Sequence, residues 1–315
     1  MAEKYKVKPD AVLKEFWRKN ERFADLVNAA LFDGKQVIGP DALSERDTDL
    51  SSVLQFKGHA ETLVKVLDVV KKSAFGIDFA IIGIENQMKV HYAMPLRHMI
   101  GDALGYLKEY TELVQKNKKN KDQKWGSEAE FLSGLNRGDR LHPMITICVY
   151  YGEDPWDGPL SLTDMLEVPE ELKGVVSDYR MNLVQVRESD NLVFRDPDVA
   201  AAFSISRSIF RKEFKQIEAS YRDTEIDAEV GLMVGAITES RELIEQALNR
   251  KGGTLNMCNA LTELKQEGIE QGKRIMVIKL LQQALLPDEA IASAAELTME
   301  QLQEIKEQMA ANSEI

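Results

Sequence analysis

The run from Ile77 to Gln87, IDFAIIGIENQ, constrains this chain more than any other stretch. It is apolar on consecutive residues rather than alternate ones, the pattern of a strand covered on both faces. Yet it closes on an acid, Glu85, and the preceding run LVKVLDVV, Leu63 to Val70, holds another, Asp68. A carboxylate in apolar surroundings is costly unless its charge is compensated. A hard divalent cation shared by both acids would compensate them together. Gln87 lies two residues beyond Glu85, so on an extended chain the two side chains leave the same face. The expected unit is a pair of strands joined by a short, hairpin-like connection at Ser73, Ala74, Phe75 and Gly76.

What surrounds this pair sets the fold class. Helical spacing of Leu13, Phe16, Trp17, Phe23, Leu26 and Val27 predicts a helix over residues 9–32. Residues 35–62 read as a turn at VIGPDAL and a short strand at SSVLQF. A second helix is expected over 92–115, with Pro95 in its first turn. Strands follow at 143–151 and 182–188, with a short helical piece at SLTDML between them. From residue 198 the pattern is helical, and Thr298 with Gln301 has the spacing of a capping box. Together these predict an α/β fold. The core is expected over 1–215, followed by a helical C-terminal region, 216–315, through which the chain could self-associate.

Composition removes several classes. Of the 315 residues 44% are hydrophobic and 29% charged, as in globular proteins in water. No apolar run reaches the roughly 18 residues of a membrane helix, and the first residues, MAEKYKVKPD, lack the apolar core of a secretory signal. Cys148 and Cys258 alone cannot make a disulfide framework. The expectation is a cytoplasmic protein without a membrane partner. The net charge of −12 runs against a nucleic-acid partner unless positive charge gathers locally.

Auxiliary candidates lie on both flanks. Asp25 or Glu21 could reach the acid pair from the first helix, and Arg97 near the start of the second could meet a phosphate. The lysines of KNKKNKDQKWG, 116–126, suit a solvated arm that touches a nucleic-acid backbone. Tyr150, Tyr151 and Trp156 could stack on a base or pack in the core. His59, His91, His98 and His142 fit no zinc spacing, and neither a phosphate loop nor a GxSxG elbow occurs.

LDVVKK, FAIIGIENQ, HYAMPLRHMIGDALGYL and HPMITICVYYGEDPWDGPLSLTDML, in that order, resemble the family of recombination-promoting nucleases and transposase-like proteins. That family belongs to the PD-(D/E)XK nuclease superfamily. ERFADLVNAALFDGKQVI and GTLNMCNALTELKQEGIEQGK extend the resemblance over most of residues 15–275. It implies a restriction-endonuclease-like core with a central mixed sheet flanked by helices, and Mg²⁺-dependent cleavage of DNA phosphodiesters, with Mn²⁺ as an alternative ion. By that resemblance Asp68 and Glu85 are the motif acids that hold the ion, with the Asn86 carbonyl as a third ligand. Gln87 stands where better-known superfamily members have lysine. Lys71 or Lys72 could replace that positive charge, although strand neighbours point oppositely, so at most one faces the site. Leu67 stands where relatives carry an arginine, and Gly101 where they often carry a tyrosine. Those departures leave an alternative: a catalytically weak or inactive DNA-binding or assembly protein that keeps the nuclease fold.

Overall fold

The computed structural model describes residues 8–45, 52–56, 59–63, 69–75, 78–120, 125–250, 253–283 and 286–313. In chain order, α1 (Pro9–Arg18) and α2 (Asn20–Leu31) precede β1 (Leu43–Glu45) and a small antiparallel pair, β2 (Ser52–Phe56) and β3 (His59–Leu63). Next come β4 (Val69–Phe75), β5 (Asp78–Gln87), α3 (Met94–Lys119), α4 (Glu128–Ser133), β6 (Met144–Tyr150) and β7 (Asn182–Gln185). The remainder is helical apart from one short ladder: α5 (Pro197–Phe210), α6 (Phe214–Tyr221), β8 (Glu225–Asp227), α7 (Ala228–Ile237), α8 (Arg241–Asn249), β9 (Thr254–Asn256), α9 (Met257–Gln283), α10 (Asp288–Ala295) and α11 (Met299–Ser313).

Five strands make one mixed sheet in the order β1-β4-β5-β6-β7. The first two pairings are antiparallel and the last two parallel. A parallel neighbour requires a crossover, and α3 supplies it between β5 and β6. Gly105 faces β6 there, with the end of the Met144 side chain where a Cβ would stand. The consecutively apolar run of β5 therefore sits where its pattern places it, between two strands and between two layers of helices. The fold is α/β.

Pleating divides this sheet into two unlike faces. Ile82, Ile84, Ile147, Val149 and Val184 point to one side, where they join Phe16, Trp17, Phe23, Leu26 and Phe203 of α1, α2 and α5. Glu85, Thr146 and Cys148 have the opposite parity and lie beneath α3; Cys148 packs there with Met94 and Met181. The apolar core on the first side continues through Ile217, Val230, Met233 and Leu255 to Ala260, so it runs past residue 215 without a break. A separate small cluster of Val277, Ile291, Ala295 and Leu302 joins α9, α10 and α11. Thr298 and Gln301 bond reciprocally at the start of α11, the expected capping box. No described helix is long and apolar enough to cross a membrane.

Several boundaries differ from the sequence reading. The helix expected over 9–32 is two helices, broken at an extended Lys19 (φ −65°, ψ 126°). A remote lysine accounts for the break. Lys71 of β4 donates to the terminal carbonyl of α1, Arg18 O, and to Asn20 Oδ1. Those two acceptors are turned toward one cation, which a continuous helix would not allow. The connection expected at residues 73–76 is also displaced. Ser73, Ala74 and Phe75 belong to β4 and pair with Ala80, Phe79 and Asp78, leaving only 76 and 77 between the strands. β7 stops at Gln185, and residues 186–191 form 3-10 turns instead of continuing the strand. The lysine-rich segment begins as helix, for α3 runs through Lys119. The helical pattern after 198 is interrupted where Lys212 (φ 59°) and Glu239 (φ 54°) take left-handed conformations.

Candidate functional site

Glu85 stands near the C-terminal end of β5, opposite Cys148 of β6, and is 4% exposed. Burial alone would push its proton back on. The structure offers it donors instead. Arg97 Nη2 lies 2.9 Å from Oε1, and Gln87 Nε2 donates to the same oxygen at 3.3 Å. Oε2 lies 3.3 Å from His98 Nε2. Gln87 reaches it because the strand pleat returns to the same face every second residue. Arg97 and His98 come from the first turns of α3, whose N-terminal end is the favourable end of its dipole for a carboxylate.

One turn further along α3, Asp102 is buried on the same helix side as His98. Thr146 Oγ1 of β6 donates to Oδ1 at 2.6 Å, and the Tyr179 hydroxyl donates to Oδ2 at 2.5 Å. Burial, with the Asp102 charge beside it, drives the Tyr179 pKa far above its ordinary value, so this hydroxyl keeps its proton. A polar seam thus runs from Glu85 through His98 to Asp102 between helix and sheet.

The sequence candidates divide sharply. Glu85, Gln87 and Arg97 come together. Asp68 lies outside the described residues. The Asn86 side chain has the opposite parity, and its Oδ1 accepts from the Tyr151 hydroxyl at 2.7 Å; the ligand expected from this residue was its main-chain carbonyl. Lys71 is not at the site. It is fully buried on the other face, at the break between α1 and α2, with its ammonium 5.3 Å from the Phe23 ring centre. Lys72 pairs through its backbone with Ile81. Asp25 is also on the other face. Its carboxylate accepts from Arg195 N at 2.9 and 3.1 Å and from Asp196 N at 3.0 Å, which fixes the entry to α5. Burial raises the Asp25 pKa, against the pull of those backbone donors. An auxiliary acid for the Glu85 site it is not. Tyr151 is buried and accepts from Trp17 Nε1 at 2.8 Å, while Tyr150 and Trp156 pack edge to face at 5.2 Å.

His98, Asp102, Thr146 and Tyr179 were not expected at the site. The one available signal was the four-residue spacing of His98 and Asp102, flanked by Gly101 and Gly105, where a helix face of small and polar residues can come close to a sheet.

A resident divalent ion is only partly provided for. Among the described residues no three His, Cys, Asp or Glu gather into a metal cluster. They supply one carboxylate and one imidazole, with Arg97 providing positive charge beside Glu85. A second carboxylate from Asp68 would be needed for the acid pair. Comparison with protein-family models, curated proteins and solved structures returns no match for this chain.

Proposed function

We propose that the chain is a metal-dependent DNA endonuclease of the PD-(D/E)XK kind, with Asp68 and Glu85 as the acids that hold its ion. The observation that carries the reading is a buried carboxylate at the end of the central strand, beside an arginine and an amide on the same face. The mixed sheet with helices on both sides also supports it. The ion, when bound, would polarise a phosphodiester and lower the pKa of the attacking water.

The chain's own residues take the remaining roles. The Arg97 side chain is 40% exposed, so its guanidinium can reach solvent while touching Glu85. A planar guanidinium suits a phosphate oxygen pair. Arg97 then supplies the positive charge that Gln87 cannot, in place of Lys71 or Lys72. Gln87 orients water or phosphate through its amide.

A specific observation favours the rival reading, an inert DNA-binding or assembly protein: Arg97 and the Gln87 amide already meet Glu85 Oε1, so part of its charge is compensated by the chain itself.

Plasmid nicking in Mg²⁺ or Mn²⁺ decides between them, comparing the parent with Asp68→Ala and Glu85→Ala. Cleavage by the parent that both variants lose is the expected result. DNA retention on a gel without cleavage by any of the three would establish the rival.

A further inference from the structure

We infer that His98 is a nitrogen ligand to the ion that Glu85 holds, so that the site takes Mn²⁺ or a similar first-row transition ion in preference to Mg²⁺. The inference rests on the nuclease reading for the presence of an ion, and it adds a ligand and a metal class to that reading.

The argument begins with an unsatisfied side chain. His98 is 1% exposed, and among the described residues neither of its ring nitrogens makes a hydrogen bond. Buried polar groups nearly always have a partner, and one that lacks it calls for a reason such as an ion. Nε2 is nonetheless aimed at the carboxylate, 3.3 Å from Glu85 Oε2. Two ligand atoms each about 2.1 Å from one ion, separated by that length, subtend about 100° at the metal. That lies between octahedral and tetrahedral values. The pair is spaced as ligands are, and its geometry is not that of a hydrogen bond.

The neighbouring acid argues against a relay. Asp102, four residues along α3, accepts from Thr146 and Tyr179, and no hydrogen bond joins it to His98 Nδ1. Imidazole therefore has one productive partner on this face, the Glu85 carboxylate and whatever it binds. Chemistry then sets the metal. Mg²⁺ takes oxygen ligands and keeps its waters, whereas imidazole suits iron, nickel, copper and zinc; Mn²⁺ stands lowest of the first-row series, so it is the most demanding probe of a nitrogen ligand.

The test uses the full chain and Mn²⁺ as probe. Titration followed by the electron paramagnetic resonance of free Mn²⁺ gives the affinity, and electron spin-echo modulation reads nitrogen coupling at the bound ion. In the parent, coupling to an imidazole nitrogen is expected. His98→Gln and His98→Ala should lose it and weaken Mn²⁺ binding by about tenfold or more. Mg²⁺ binding, measured by competition, should change much less. Absence of nitrogen coupling in the parent overturns the inference, as does equal loss of both ions in a folded variant. If both variants unfold in a circular-dichroism melt, the parent's nitrogen signal decides alone. Mn²⁺ bound through His98 without plasmid nicking would sink the nuclease reading and leave the ligand standing. Nicking with Mn²⁺ affinity unchanged in His98→Gln would do the reverse.

Discussion

The two faces of the central sheet bury polar groups in opposite ways. On the α1–α2 side, Lys71 meets Arg18 O and Asn20 Oδ1, Asp25 meets two backbone amides, and Asn28 bonds Ile38 through both N–H and C=O. Arg22 completes the set, 2.6 Å from Asp198 and 2.7 Å from Glu229. These bonds stitch α1, α2, β4, α5 and α7 together. On the α3 side, Glu85 Oε1 meets Arg97 and Gln87, and His98 has no hydrogen bond among the described residues. Charged groups met as on the α1–α2 side hold a fold in place, although the buried Ser206 hydroxyl of α5, on that side, has no partner among the described residues. Incomplete satisfaction beside a strand-end acid is the observation on which the proposed ion site rests.

The sharpest way to break this contrast is to exchange residues across the sheet. Glu85→Gln keeps shape and removes charge, and it should lower plasmid nicking by 10²–10³-fold or more, on the order seen when a charge-stabilising group is lost. Lys71→Met should leave nicking per folded molecule unchanged. If Lys71→Met abolishes nicking while remaining folded, the division between the faces is wrong.

Stability should respond in the reverse sense. Arg22→Met strands Asp198 and leaves Glu229 to Lys19 alone, and because both acids keep some solvent the cost should be about 2–4 kcal/mol, below that of a wholly buried pair. Urea unfolding measures it. The same measurement on Lys71→Met should show a loss of about 1–3 kcal/mol, from the orphaned Arg18 carbonyl and Asn20 amide.

The smallest effect belongs to Tyr179→Phe, about 1 kcal/mol near neutral pH. Its sharper signature is in alkali. Because the folded pKa is raised, the folded chain keeps a proton that the unfolded chain releases above its ordinary value near 10. Stability attached to this hydroxyl is thus complete below about pH 10 and falls as pH rises beyond it. Tyr179→Phe should remove that one-proton slope. An unchanged slope would show that Asp102 does not hold the hydroxyl.

What could be read beforehand followed from local rules. Strand parity puts Glu85 and Gln87 on one face, and consecutive apolar residues put β5 in the interior; neither inference needs a neighbour. The break at Lys19 could not be read, since it depends on a lysine 52 positions later reaching a helix end. Lys71 itself looked like a charge available to a phosphate because sequence does not reveal which carbonyl lies within its reach. His98 and Asp102 lie four residues apart, a spacing that puts them on one helix stripe without saying what covers it. Only the packing of α3 on the sheet turns that stripe into an interior. Asp102 then finds its donors on β6 and on the loop before β7, two elements with no sequence mark of the pairing.

One feature of the core bears on how the chain comes into being. Trp17 rests against Phe203 at 6.2 Å between ring centres, and Arg22 grips acids from α5 and α7. During synthesis the first two helices therefore have to wait for a further 176 to 207 residues before the acids that Arg22 grips are made. A chain cut near residue 215 would expose Val230's and Met233's share of the interior as bare apolar surface, and chaperones or proteases, rather than substrate, would be the first to find it.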